Sequence, residues 1–468
     1  MSEKSQAQLK EEELTYHKKS YFETATEAEK EQMFAYAKKY MEFLDSAKTE
    51  REAVAVGIRM AEERGYTPYH FGEKLKAGDK RYYNNRDKNL FLIQKGSLPL
   101  DEDGIRILAA HVDSPRIDLK QNPLYESDNM AFFKTHYYGG IRKYQWTAIP
   151  LALHGVVVKG DGTRVNIVIG EEESDPVFYI NDLLPHLAQE QSAKPLSTAI
   201  SGESLNILVG GMPYAADDIS DKIKLNILNI LHEKYGIRER DFQSAELSCV
   251  PAFHARDIGF DRALIGAYGH DDRVCAYPAM TALFDSAASA HTIVTVLADK
   301  EEIGSEGNTG MRCRLLLDIL EDLAATDGVS GAAVRARSHC LSADVNAAYD
   351  PNFPEVFEKK NAGILSAGAV MSKFTGSRGK SSSSDASAEF VGFIRNMFAR
   401  ENIAWQTAEL GKVDVGGGGT VAMYIANLNI DTVDLGVSVI SMHAPYEVVS
   451  KADLYALYRA FTAFCNAE

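Results

Sequence analysis

Short apolar runs that end abruptly in histidine, aspartate or glutamate mark this chain more than any other pattern. Ile105-Arg-Ile-Leu-Ala-Ala110 runs into His111-Val-Asp-Ser-Pro115, and His291-Thr-Ile-Val-Thr-Val-Leu297 runs into Ala298-Asp-Lys-Glu301-Glu302-Ile-Gly304. Leu341-Ser-Ala precedes Asp344, and Thr432-Val-Asp-Leu-Gly-Val437 leads towards His443. Runs this apolar, bounded by polar residues, predict buried parallel strands with the polar groups at their carboxyl ends. Ligands of open α/β sheets collect at those ends. Side chains alternate along extended backbone, so Glu301 and Glu302 are expected to face different directions and take different tasks.

Helical signals surround these runs. Thr26-Glu-Ala-Glu29 is a capping box opening a helix with Met33, Tyr36, Ala37, Tyr40 and Leu44 on one face. Thr49-Glu-Arg-Glu52 repeats the device, with Gly65 as a stop. Residues 1–25 are charged with little periodicity and predict a loosely held arm or a surface contact. Phe91-Leu-Ile93 and the run from Ile105 flank a turn at Asp101-Glu-Asp-Gly104. From about residue 116 to 249 the texture becomes β-rich. Leu151–Val158 and Arg164–Ile169 form a hairpin, Leu205–Val209 is a strand, and Ile219–Tyr235 is an amphipathic helix closed by Gly236. The α/β pattern then resumes with Asp271-Asp-Arg273 before an apolar helix carrying Val274, Tyr277, Met280 and Leu283. The expectation is an α/β domain formed by residues 1–115 and 250–468, interrupted by a β-rich insertion over 116–249. Gly376–Ser384 and Gly416–Gly419 read as tightly turned site loops.

At 468 residues the chain exceeds one ordinary core, in keeping with a domain and an insertion. A net charge of -16 argues against a nucleic-acid surface. Cys249, Cys275, Cys313, Cys340 and Cys465 are scattered and form no Cys-x-x-Cys, which fits reduced thiols and excludes a thiolate zinc site. No apolar run approaches the ~20 residues that cross a bilayer, and Met-Ser-Glu-Lys-Ser-Gln lacks the apolar core of a signal peptide. A cytoplasmic protein is expected.

The polar residues at the expected strand ends are His111, Asp113, Asp271, Glu301, Glu302, Asp344 and His443. Two imidazoles with carboxylates and no thiolate suit zinc, cobalt or manganese with a coordination position left for water. A pair of metals ~3.5–4 Å apart shares a bridging carboxylate and a bridging water, which needs five ligands and one spare glutamate. Asp113, two residues beyond His111 on extended backbone, faces the same side and is placed to hydrogen-bond the far nitrogen of His111.

His111-Val-Asp-Ser-Pro115, Asp271-Asp-Arg273, Glu301-Glu-Ile-Gly304, Ser342-Ala-Asp344 and Met442-His443, in this order, resemble the M18 family of metallo-aminopeptidases, the aspartyl aminopeptidase family. The resemblance runs from about Phe43 to near the C-terminus. It implies a three-layer α/β/α zinc-peptidase domain, an inserted dimerisation domain, and dimers assembled into a tetrahedral dodecamer. It further implies that Asp271 bridges two metals, that His111 and Asp344 complete one site, and that Glu302 and His443 complete the other. Glu301 would be the general base and Asp113 the residue orienting His111. Leu184-Pro-His-Leu-Ala188 is similar to the family segment whose histidine enters a neighbouring subunit's active site, which makes His186 a candidate for stabilising the oxyanion in trans. Lys373 matches a family lysine near the substrate.

The chain also departs from the family pattern. Val345-Asn-Ala-Ala-Tyr-Asp350-Pro-Asn352 stands where relatives carry further histidines, so Asp350 replaces a histidine beside the substrate. An added carboxylate repels an acidic side chain, and neutral or basic N-terminal residues join Asp and Glu as expected substrates. Asp414-Val-Gly-Gly-Gly-Gly419 differs as well. Two other classes are compatible with the residues. One is a co-catalytic metal amidase acting on acyl-amino acids, and the other is a non-catalytic oligomeric scaffold.

Overall fold

Apolar residues on successive positions of one strand must bury on opposite faces, and that requirement produces the layers seen here. The computed structural model describes residues 4–286 and 289–467. Its largest sheet has nine strands, in the order Thr67–Pro68, Lys80–Asn85, Asn89–Gln94, Thr292–Ala298, Ile105–His111, His339–Ser342, Asp431–Gly436, Ala369–Ser372 and Trp405–Thr407. The four strands Thr292–Ala298, Ile105–His111, His339–Ser342 and Asp431–Gly436 are mutually parallel. Leu108, Ala110, Ile293 and Leu297 pack into a core with Met33, Tyr40, Val54, Met280 and Phe461 from four helices on one face. Their neighbours Ile107, Ala109, Val294 and Val296 pack with Leu316, Ile319, Leu323 and Val334 on the other. The result is the α/β/α sandwich expected from the runs themselves.

Register brings the polar strand ends level. Ala298 pairs with His111, and Ser342 lies opposite both Ala109 and Asp434. A separate, wholly antiparallel sheet of seven strands draws all its members from between Arg116 and Pro251, with a core around Phe133, Trp146, Ile223 and Leu247. A third sheet of five short strands (Arg256–Ile258, Leu264–Ala267, Glu447–Ser450, Ser438–Ile440 and Asn346–Ala347) sits beside the large one.

Both capping boxes form: Thr26 caps Glu27–Ser46 and Thr49 caps Glu50–Glu62. Two local expectations change, and the described part of residues 1–25 takes the second of its two readings, a surface contact. Asp101–Gly104 is a short helix, Leu100–Asp103, ended by Gly104, because the acidic side chains suit a first helical turn. The helix of the β-rich segment is Lys222–Tyr235, starting after Asp221, and Gly236 closes it at φ +67. The arm is anchored as well as charged. Helix Gln6–Leu14 is opened by a capping box at Ser5, Lys18 Nζ donates to the carbonyls of Ala362 (2.5 Å) and Thr407 (3.0 Å), and Tyr21 is buried. Among the described residues no helix is long and apolar enough to cross a membrane.

The seven-stranded sheet is tied to the helical layer by a buried charge network. His154 on Leu151–Val158 contacts Glu52 Oε1 at 2.7 Å and Glu171 Oε1 at 2.8 Å, and Lys48 pairs with Glu171 at 2.8 Å. Burial alone would lower the His154 pKa, but the two carboxylates raise it to about 8. A raised imidazole pKa stabilises the fold fully below its unfolded value of ~6.5, and that contribution is lost as pH rises through about 8. The contribution is about 2 kcal/mol. Thermal unfolding of His154→Gln should therefore fall below wild type at pH 6, and the difference should shrink by pH 9.

Candidate active site

His111 is the last residue of its strand and 1% exposed. Its Nδ1 donates to the main-chain oxygen of Asp113 at 3.0 Å, which turns Nε2 into the cleft. There Nε2 meets Asp271 Oδ1 at 3.1 Å, Asp344 Oδ1 at 3.9 Å and Glu301 Oε2 at 4.0 Å. His443 approaches from the other side. It donates from Nδ1 to the carbonyl of Gly140 at 2.9 Å, and its Nε2 lies 3.1 Å from Asp271 Oδ2 and 3.5 Å from Glu302 Oε1. The two oxygens of Asp271 thus face two different imidazoles. His443 holds φ +65, a conformation that costs energy and recurs at functional sites.

Glu301 and Glu302 do not lie on extended backbone as the pattern suggested. Lys300 turns left-handed at φ +67 and the pair occupies a single 3₁₀ turn, Glu301–Ile303. Asp113 holds that turn. Its Oδ1 accepts from Glu301 N at 3.1 Å and its Oδ2 from Glu302 N at 3.2 Å, while its distance to His111 Nδ1 is 3.4 Å. The side chains still diverge: Glu301 groups with His111 and Asp344, Glu302 with His111 and Asp271.

The electrostatics of the cluster follow from burial. Glu301 is pushed up to about 7 and Glu302 well above the carboxylate range, mainly by desolvation and then by neighbouring acids. Asp344 is likewise raised, by burial and by the charge of Glu301. Burial opposes protonation of His443, yet its contact with Asp271 and the charge of Glu302 lift it to about 10. Asp271 is held low despite burial by its two imidazoles. So much negative charge in so little space calls for cations. Asp271 Oδ1 and Glu302 Oε1 are buried without a hydrogen-bond partner, and the donors are imidazole and carboxylate, the set that zinc accepts. His111, Asp271, Glu302, Asp344 and His443 could hold a metal, and Asp272, whose Oδ1 is also unpartnered, stands beside Asp271 and Asp344.

The family model for Aminopeptidase I zinc metalloprotease (M18) matches residues 43–465. The chain belongs to the M18 aminopeptidase family. It is 48% identical to the probable M18 family aminopeptidase 1 of Clostridium acetobutylicum over 443 residues, 93% of this chain and 95% of that one. The crystal structure of the M18 aminopeptidase from Thermotoga maritima superposes with a TM-score of 0.92 at 40% identity, covering 97% of this chain and 100% of the other. The S. cerevisiae mApe1 dodecamer shares the fold alone, with a TM-score of 0.73 at 21% identity over 92% of this chain and 96% of that one. The chain is therefore a metal-dependent aminopeptidase.

In this M18 aminopeptidase the structure brings His111, Asp113, Asp271, Glu301, Glu302, Asp344 and His443 together. His186 is exposed in a turn, Lys373 pairs with Asp385, and Asp350 accepts from Asn352 N at 2.8 Å. Among the described residues no hydrogen bond or ion pair joins these three to the cluster. Sequence reasoning also missed Glu447. This side chain, 1% exposed, accepts from His443 N at 2.7 Å and Asp271 N at 3.1 Å and so fixes two backbones at once. Its only signal was a glutamate four residues after His443 at the start of a strand. Tyr138, Gly139 and Gly140 carried no signal. Asp113→Ala should leave two amides of the Glu301 turn unpartnered and lower the stability of metal-free protein by about 1–3 kcal/mol in chemical denaturation.

Proposed function

We propose that this chain is a dinuclear-metal aminopeptidase in which Glu301 is the general base. The observation that carries the reading is the Asp271 carboxylate, which offers one oxygen to each of two imidazoles while Glu301 lies beside it, 4.0 Å from His111 Nε2. His111 and Asp344 would complete one metal position, and Glu302 and His443 the other. Two divalent cations per subunit, zinc foremost with cobalt and manganese as alternatives, would supply Lewis acidity and lower the pKa of water at neutral pH. Glu301, next to the position of the attacking water, would take its proton and return it to the departing amine; without metal, burial raises its pKa to about 7. The carboxylates at the cleft favour a substrate with a free, positively charged N-terminus. Asp113 holds Glu301 by its amide, so the base is presented by a fixed turn.

The oxyanion would receive further support from His186 of a neighbouring subunit. Its turn is flanked by exposed Leu183 (52%), Leu184 (51%) and Leu187 (68%), the apolar surface a subunit contact would cover. The β-rich segment over 116–249 is then the dimerisation insertion in a chain whose catalytic domain spans 1–115 and 250–468. Dimers assembling into a tetrahedral dodecamer agree with the dodecameric mApe1 of the same fold. Lys373 and Asp350 would border the side chain of the substrate's first residue, Asp350 disfavouring an acidic one. Free cysteines, most of them buried, suit a cytoplasmic enzyme.

Paired substrates with free and acetylated N-termini, spanning acidic, neutral and basic first residues, test the reading. Only free-amine substrates should be cleaved, and chelation should abolish cleavage. Hydrolysis of acetylated substrates would favour an acyl-amino-acid amidase, and metal-loaded protein without activity would favour a scaffold. Glu301→Gln should bind metal as wild type does and lose about 10²–10⁴-fold in kcat; unchanged turnover would remove Glu301 from the role of base.

A further inference from the structure

The strand Met130–Tyr138 belongs to the seven-stranded sheet, yet its end reaches the carboxylate–imidazole cluster. Tyr138 donates its hydroxyl to Asp113 Oδ2 at 2.9 Å. Gly139 follows at φ +76, so close to the site that an added Cβ would lie 3.2 Å from Glu302 Oε2. Gly140 presents the carbonyl that receives His443 Nδ1–H. Three consecutive residues therefore touch Asp113, Glu302 and His443.

We infer that Tyr138 is a positioning residue, through which the seven-stranded sheet sets the geometry of the Glu301-Glu302 turn. Asp113 is fully buried, and each of its oxygens serves one amide of that turn. The Tyr138 hydroxyl is the third donor to this carboxylate and the one that comes from outside the large sheet. It fixes the carboxylate plane, and the plane sets where both glutamate backbones lie. Tyr138 is itself immobilised. The Arg116 guanidinium lies 4.0 Å from the centre of its ring, and Arg116 is held by Glu50 at 3.0 Å and Asp118 at 2.8 Å. Arg116 and Tyr138 are also register partners, so the ring is clamped by its own sheet and by the first turn of helix Glu50–Glu62. A donor held this way can restrain a ligand-bearing turn to within the ~0.5 Å such centres need.

Tyr138→Phe removes the hydroxyl and keeps the ring under Arg116. Metal retention against a chelator should weaken about tenfold, and kcat should fall about tenfold with KM unchanged, as when outer partners of metal ligands are removed. The thermal midpoint of metal-free protein should fall only slightly, because ring packing is preserved and Asp113 Oδ2 keeps the Glu302 amide. Tyr137→Phe, on the exposed face of the same strand, should match wild type in every measurement. Wild-type metal retention and kcat in Tyr138→Phe would overturn the inference. So would a loss that affects kcat, KM and the thermal midpoint alike, since that marks general structural damage. The inference rests on the metal-centre reading above: wild-type protein that takes up no zinc would end that reading, whereas normal zinc uptake with an indifferent Tyr138→Phe would end only this one.

Discussion

Asp271 is an anion buried between two imidazoles, and the rest of the molecule is arranged so that this arrangement can exist. Burying a carboxylate costs several kcal/mol unless its surroundings return it. Here the return comes from two imidazoles, His111 at the end of the nine-stranded sheet and His443 beside the small one. The Asp271 backbone is held separately, its amide donating to Glu447 and its carbonyl accepting from the Ser114 hydroxyl at 2.6 Å. Asp271 itself sits in a kinked first turn of His270–Asp285, where the backbone departs from helical geometry. Each of these contacts joins segments far apart in the chain, so the site and the packing of the three sheets depend on one another.

The crowding of acids around Asp271 explains the character of the cleft. Glu301, Glu302 and Asp344 are all pushed upward by burial, with His111 opposing all three and His443 opposing the two glutamates. A protein that needed only stability would place apolar side chains there. Retaining the acids makes sense for a centre that takes cations, and the chain belongs to a family of zinc metalloproteases.

The seven-stranded sheet takes part in the site as well as in its own core. Its strand end at Tyr138–Gly140 contacts three members of the cluster, and its His154 and Glu171 are locked to Lys48 and Glu52 of the helical layer. Gly139 suits glycine because its φ is positive, and a Cβ there would press on the end of the Glu302 side chain at 3.2 Å. Gly436 has a comparable constraint on the opposite flank, where a Cβ would fall 1.8 Å from the carbonyl oxygen of Asp344.

Much of this was legible in the residues alone. Apolar runs ending in His111, Asp113, Glu301-Glu302 and Asp344 declared the parallel strands and the donor set, and Thr26 and Thr49 declared their helices, because capping and side-chain alternation act over a few residues. The 3₁₀ turn at Glu301 was not legible, since it depends on Lys300 adopting a left-handed conformation and on Asp113 holding amides nearly 190 positions away. Nor were Glu447 and Tyr138, ordinary residues until folding sets them against Asp271 and Asp113. By itself the sequence determined the fold class, the chemistry of the donors and the family to which they belong. Only the tertiary structure decided which oxygen faces which imidazole, because hydrogen bonds such as that from His443 to Gly140 span 303 positions and are chosen by packing rather than by neighbours in the chain.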